Sequence, residues 1–333
     1  MYNNIQALRG IAALMVVMFH LLPQFKAMGL NNYLYESFAR FGYIGVDIFF
    51  VISGFVMAKS TNKLSHDSKN ARNFLSKRFA RIFLGYWPAF FLALLLYSIF
   101  NANFLPQKDI LSSFFLLSTN LSKLVIGPSW SLTYELYFYS LIALLLLFKK
   151  ALTKFFLLAL SVLIIVKIIF ITAPVAWIDF FFSHFLLEFV LGYFLFHLKN
   201  YLLNPVVLYV LGIIGVSALV TGVNIKIADD WTRVASFGVF AFCLMACLLY
   251  LEEIKNISHK GVFKKLGDAS YSLYIYHILF VNLFYHTGLR AKLVQYNAAT
   301  IGFITYLLFI IIISLAIYRN IERPLYTIAT KKY

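Results

Sequence analysis

Charge is what this chain has least of. Only 13% of its 333 residues are Asp, Glu, Lys or Arg, about half the share of a soluble domain. Hydrophobic residues make up 62%. A globular surface needs polar groups to face water, so this balance excludes a soluble fold. Strict apolar–polar alternation is also missing. The apolar runs are continuous over about twenty residues, which argues against a barrel and matches the length a helix needs to cross a bilayer. Cysteine is nearly absent: Cys243 and Cys247 stand four apart inside an apolar run. Two thiols are too few for a zinc site, and no metal or disulfide framework follows from them. The first apolar stretch, Ile5 to Leu22, lacks a preceding basic segment and a small-residue cleavage site, so it reads as a retained helix and not as a signal peptide. Acidic residues number 13 against 29 basic ones, a formal net charge of +16. In a soluble chain that excess would point to nucleic acid. In a membrane chain Lys and Arg hold cytoplasmic loops and face anionic headgroups, and a nucleic-acid partner is not expected.

What is present is a series of long apolar segments. They predict helices near 5–22, 42–59, 79–100, 131–148, 151–172, 178–197, 204–221, 231–250, 269–287 and 298–318. The fold class is therefore an all-α integral membrane protein of about ten transmembrane helices. No internal repeat appears, and residues 1–333 read as one transmembrane domain with no fused soluble domain. Residues 101–130 form the longest connection and include Phe114, Phe115, Leu116 and Leu117, so this stretch is expected to dip into the membrane or lie on it. With the N-terminus inside, nineteen Lys and Arg fall on inner segments and eight on outer ones. The inner set includes Lys59, Arg72, Arg78, Arg81, Lys331 and Lys332. The outer set includes Lys108, Lys123, Lys226 and Arg233. The positive-inside rule then places both termini in the cytoplasm.

Ionisable groups at membrane depth cost several kcal/mol unless paired or set along a cavity, so each is a functional candidate. Arg9 and His20 lie on the first span, Asp47 on the second, Glu135 at the start of the fourth, His184 and Glu188 on the sixth, and His277 on the ninth. Eleven steps separate Arg9 from His20. At about 100° and 1.5 Å per residue they share one helix face about 16 Å apart. Two readings stand: they serve two parts of one long ligand, or Arg9 snorkels to headgroups while His20 packs between helices. Arg78 and Arg81, three apart in a basic loop, share a face of the third span near its start. Their guanidinium forks suit phosphate oxygens, although topology anchoring explains them equally. Gly127-Pro128-Ser129-Trp130-Ser131 reads as a turn and helix start. Glu135 in the first turn either complements the helix dipole or orients a histidine across the bundle. Tyr139, four residues on, shares its face. His184 and Glu188 have the spacing to satisfy each other, and His277 reads as a packing or supporting residue.

These segments, taken in order, resemble the membrane acyltransferase-3 family, the integral O-acyltransferases of bacterial surface polysaccharides. The resemblance begins at Ile5-Gln6-Ala7-Leu8-Arg9-Gly10 with the Arg-x10-His spacing ending at His20. It continues through Gly42-Tyr43-Ile44-Gly45-Val46-Asp47 to Ser53-Gly54-Phe55, through Arg78-Phe79-Ala80-Arg81-Ile82, and through Trp130-Ser131-Leu132 with Glu135 and Tyr139. Ser270-Tyr271-Ser272-Leu273-Tyr274 with His277, and Glu322-Arg323-Pro324, complete it. Its compact form looks most like exopolysaccharide acetyltransferases of the bacterial cytoplasmic membrane. The resemblance implies acyl-CoA as donor substrate, acetyl-CoA being commonest, with no permanently bound cofactor. It implies a saccharide or lipid-linked saccharide acceptor, essential roles for His20 and Arg9, and donor binding by Arg78 and Arg81. Asp47, Ser53, Trp130, Tyr139 and His277 would support the site. The chemistry expected is general-base catalysis by His20, with Glu135 or Asp47 holding its tautomer. The competing class is a transporter or flippase whose buried charges form a relay. Such proteins often show two related halves, which are not found here.

Overall fold

The protein is seen in a computed structural model that describes residues 2–118, 120–171, 175–225 and 230–330. Lys226, Lys331 and Lys332, used above for orientation, lie outside the described residues. The chain is 83% helical, with no strand among the described residues. The helices follow in order: α1 Asn3–Ala27, α2 Tyr33–Arg40, α3 Ile44–Thr61, α4 Ser68–Phe100, α5 Ile110–Phe115, α6 Trp130–Leu145, α7 Lys150–Phe170, α8 Ala176–Phe181 and α9 Phe185–Leu202. Then come α10 Pro205–Asn224, α11 Asp230–Arg233, α12 Val239–Glu253, α13 Val262–Asp268, α14 Ser270–His286, α15 Leu289–Gln295, α16 Ala299–Ile317 and α17 Arg323–Thr330. Single π-helical turns occupy Val234–Gly238 and Tyr318–Glu322.

Each of the ten stretches predicted from hydropathy holds helix, but the sixth is broken at Phe182, Ser183 and His184 into α8 and α9. Among the described residues, eight helical segments are long and apolar enough to span a membrane. The stretches that fall short are α6 with 16 residues and α14 with 17, about 24 and 26 Å by helical rise. These two also carry Ser131, Glu135, Tyr139, Tyr274 and His277. Burial separates lipid-facing from interior spans. Of the most apolar window in α10 only 17% is buried, against 72% in α3, so α10 turns its side chains to acyl chains and α3 turns its own to protein.

The third span begins earlier than hydropathy suggests. The basic loop of the sequence reading is helical from Ser68, which puts Arg78 and Arg81 well inside α4. Asp67 starts that helix by accepting from the Asn70 amide at 2.8 Å, the usual N-cap arrangement. Hydropathy misses this segment because its Lys and Arg residues are polar yet form helix readily. Residues 101–130 fold back on α4. Tyr86 donates to the Ser113 carbonyl at 2.9 Å, Trp87 Nε1 donates to the Phe114 carbonyl at 3.2 Å, and the Phe114 ring stacks on Trp87 at 5.3 Å.

The contacts group into two compact units. The first holds Met1–Ala7, Val46–Arg78 and Tyr134–Lys260; the second holds Leu8–Gly45, Phe79–Thr133 and Gly261–Tyr333. In the first unit α3 and α9 meet through a reciprocal pair of glycines. A Cβ on Gly54 would stand 1.9 Å from the Phe189 carbonyl oxygen, and one on Gly192 would stand 1.9 Å from that of Val51. Small residues allow this backbone approach where lipid supplies no hydrophobic drive for helix pairing. The Phe50 and Phe189 rings pack beside it at 4.6 Å. Glu252 at the end of α12 caps α1 by accepting from the amides of Asn3 and Asn4, each at 2.7 Å. In the second unit Gly42 and Gly45 press on α1, with added Cβ atoms 2.0 Å from the Met15 oxygen and 2.3 Å from that of Ala12.

Overpacking of such a contact costs about 1–3 kcal/mol. Gly54→Ala and Gly192→Ala are each expected to lower the melting temperature of the detergent-purified protein by several degrees. Gly212→Ala on α10, where an added Cβ meets open space, is expected to leave it unchanged. Equal melting of all three would refute the close approach of α3 and α9.

Candidate functional site

In the second unit α14 is the hub. Tyr271 donates to the Ile82 carbonyl at 2.6 Å, which ties α14 to α4. Ser272 donates to Glu322 Oε2 at 2.5 Å, which ties it to the π-helical turn after α16. Glu322 Oε1 in turn holds Arg81 Nη1 at 2.8 Å, with the Glu322 side chain only 3% exposed. The Arg81 guanidinium also lies 5.8 Å from the Tyr271 ring and 5.7 Å from that of Tyr326. Tyr274 donates to the Pro128 carbonyl at 2.9 Å and meets the Ser131 hydroxyl at 2.8 Å. That pins α14 to the turn Gly127–Ser129 that opens α6. Trp130, the first residue of α6, is half-buried there.

His277, fully buried on α14, reaches His20 on α1. Its Nε2 lies 3.2 Å from His20 Nδ1, and its own Nδ1 lies 3.2 Å from the Leu273 carbonyl. His20 Nδ1 also lies 2.9 Å from the Val16 carbonyl. A carbonyl only accepts, so the proton of each neutral ring sits on Nδ1. The chain of donation then has one direction. His277 Nδ1–H points to Leu273, and His20 Nδ1–H is shared between Val16 and the lone pair of His277 Nε2. His20 Nε2 is left as a lone-pair nitrogen, with no hydrogen-bond partner among the described residues. This is the tautomer a general base requires. The two groups that fix it, the Val16 carbonyl and the His277 ring, are not the carboxylates expected from sequence. Arg9, on the same helix, is half-buried.

The first unit accounts for those carboxylates. Glu135 Oε1 accepts from Ser53 Oγ at 2.6 Å and from the Tyr139 hydroxyl. The Arg78 guanidinium lies 5.7 Å from the Tyr139 ring and 5.5 Å from that of Phe74. Among the described residues Arg78 has no carboxylate partner. Asp47, fully buried on α3, is gripped by Arg233: Nε stands 3.0 and 3.2 Å from its two oxygens and Nη2 stands 2.9 Å from Oδ2. Arg233 is therefore not the loop charge of the orientation count. Glu188, fully buried on α9, packs its carboxylate on Gly238, where a Cβ would come within 2.7 Å of Oε1. The His184 ring lies 6.3 Å from that of Trp231.

An acyltransferase-domain family model matches residues 2–319. The chain belongs to the acyltransferase-3 family. It is a multi-pass membrane acyltransferase. No curated protein and no solved structure matches it. The acyltransferase-3 segments quoted from the sequence thus divide by role. The Ser270–Tyr274 segment, Ser131 and Glu322 build the α14 latch, and Gly42 and Gly45 let helices approach. The pairing of Asp47 with Arg233 and of Arg81 with Glu322 was missed, because neither spacing nor hydropathy encodes it. The signal available was the buried carboxylate itself, which requires a cation somewhere in the chain.

Removing one partner of a buried ion pair costs about 3–5 kcal/mol, whereas replacing both with apolar groups is often neutral. Arg81→Met is therefore expected to destabilise the acyltransferase strongly, and Arg81→Met combined with Glu322→Leu to recover most of the loss. Thermal melting in detergent checks this. A double variant as unstable as the single one would show that the pair does not hold the latch.

Proposed function

We propose that this membrane acyltransferase moves an acyl group, acetyl in the first instance, from cytosolic acyl-CoA to a hydroxyl of a saccharide or lipid-linked saccharide at the bacterial cytoplasmic membrane. The observation that carries the reading is the His20 tautomer: its Nδ1 proton is committed to Val16 and His277, so its Nε2 is ready to accept one. His20 Nε2 takes the acceptor hydroxyl proton as the oxygen attacks the thioester carbonyl. The carbon–sulfur bond breaks, and the proton passes from His20 to the departing thiolate. The products are an O-acyl saccharide and free CoA, with no net proton change.

Arg9, about 16 Å along α1 from His20, is suited to the phosphates or pantetheine of the donor. Arg78 keeps its charge uncommitted and is the stronger candidate for donor phosphates. Arg81 shares its charge with Glu322 and acts first as a structural residue. Glu135 holds Tyr139, against which Arg78 rests, and so serves as a positioning residue for Arg78. Asp47 stabilises its own unit through Arg233. His277 positions His20 and accepts from its Nδ1.

The assay supplies acetyl-CoA labelled in the acetyl group to protein in vesicles and follows label on a saccharide acceptor. His20→Ala is expected to lose about 10²–10⁴-fold in kcat, the usual contribution of a general base, with acyl-CoA binding retained. Normal transfer by that variant would remove His20 from the mechanism. Arg78→Ala is expected to raise KM for acyl-CoA more than it lowers kcat. His277→Leu is expected to lower kcat at unchanged KM and to alter the acid limb of the pH–rate profile. His277→Asn, whose amide oxygen can accept from His20, is expected to recover part of the rate. A His277→Leu enzyme with an unaltered pH profile would reduce His277 to packing.

A further inference from the structure

The long connection between α4 and α6 encloses an open cavity of about 370 Å³. Its lining is unlike the rest of this apolar chain. Gln107, Lys108, Ser112, Ser118, Asn120 and Lys123 supply most of it. The backbone closes the loop on itself, with the Asp109 amide donating to the Lys123 carbonyl at 2.9 Å and the Leu117 amide donating to that of Ser112 at 2.9 Å. Both oxygens of Asp109, the one carboxylate of the lining, are engaged by Ser112, Oδ1 by its amide at 2.9 Å and Oδ2 by its hydroxyl at 2.5 Å. Those bonds hold the carboxyl below the usual carboxylate range, hydroxyl first, with Lys123 adding to the effect.

The cations are less well matched. Lys108 donates to the Ser122 carbonyl at 2.8 Å. Neither lysine makes a salt bridge among the described residues. The Lys108 amine is held below its ordinary range, by burial first and by the neighbouring Lys123 charge second. Two ammonium groups that repel across a cavity of hydroxyls and amides are relieved by an anion placed between them. Apolar drug-like ligands prefer mainly hydrophobic walls, whereas here only Pro106 and Leu117 of the lining are apolar, and a sugar ring matches hydroxyl and amide partners. The loop charge balance also expects this connection on the outer face, where a surface saccharide would approach.

We propose that this cavity binds an acidic sugar residue of the acceptor, its carboxylate or phosphate held between Lys108 and Lys123. The inference rests on the saccharide acceptor proposed above and names its charge class.

The test titrates the full-length protein in zwitterionic nanodiscs with trigalacturonate and with its methyl ester, which keeps the shape and removes the charge. Trigalacturonate is expected to bind at least tenfold tighter than the ester and to weaken as salt rises. Lys108→Ala and Lys123→Ala are each expected to weaken it about tenfold, Lys123→Arg to retain it, and Gly212→Ala, where an added Cβ meets open space, to leave it unchanged. Folding of each variant is checked by its melting temperature. Equal binding of acid and ester, absent binding, or binding indifferent to both lysines overturns the proposal. So does loss of binding to phosphatidylglycerol vesicles in Lys123→Ala with trigalacturonate binding intact, which assigns the cavity to lipid headgroups. Trigalacturonate bound as expected without label transfer from acetyl-CoA would refute the acyl-transfer reading and leave this site standing. Transfer to acceptors regardless of their charge would do the reverse.

Discussion

A polar group inside a bilayer has no water to turn to, so every charge this chain carries into its spans must be answered by the protein itself. The answers differ in kind. Asp47 is met by a forked Arg233, Arg81 by Glu322, and Glu135 by two hydroxyls. His20 and His277 are met by helix carbonyls and by each other. Each solution joins segments far apart in the sequence, so the groups most costly to bury also choose which helices pack together. Both π-helical turns adjoin such a charge: Val234–Gly238 follows Arg233, and Tyr318–Glu322 ends on Glu322. An extra residue in a helical turn re-aims the side chains around it, and here the re-aimed side chains belong to buried ion pairs.

Seen this way, the acyltransferase-3 segments separate into those that make space and those that make chemistry available. Gly42, Gly45 and Gly54 are places where a Cβ would strike a neighbouring carbonyl. Tyr271, Ser272 and Tyr274 spend their hydroxyls on α4, Glu322 and the turn before α6. In the family segments of the second unit, His20 Nε2 has no hydrogen-bond partner among the described residues; in those of the first, Arg78 has no carboxylate partner among them. A polar group that the fold has not satisfied is one that a substrate can engage, which is the use the proposed reaction makes of both.

Hydropathy made the helices legible, because it is a local property read over one segment at a time. Each predicted stretch holds helix, the sixth broken between α8 and α9, and α4 alone begins well before its prediction, where polar residues continue the helix from the Asp67 cap. Partnership is not local. Asp47 and Arg233 stand 186 positions apart with nothing in the sequence to announce their pairing, and the charge count treated Arg233 as a loop residue. The α14 segment was visible as a pattern, but its role as a latch depends on contacts that the hydroxyls of Tyr271, Ser272 and Tyr274 and the imidazole of His277 make to other elements. The carboxylates looked like the natural partners of His20 because sequence shows residue types and not directions. A backbone carbonyl, which every residue possesses, leaves no mark in the sequence when it takes that role.

The use of Val16 and His277 in place of a carboxylate has a chemical consequence for the proposed reaction. A buried Asp or Glu behind His20 would stabilise the imidazolium formed when Nε2 takes a proton, and would tend to keep it. A neutral imidazole and a helix carbonyl stabilise that cation through dipoles alone, without a second buried charge whose own desolvation must be offset. In an acyl transfer the departing thiolate needs that proton back, so a base that releases it readily completes the cycle without a separate acid.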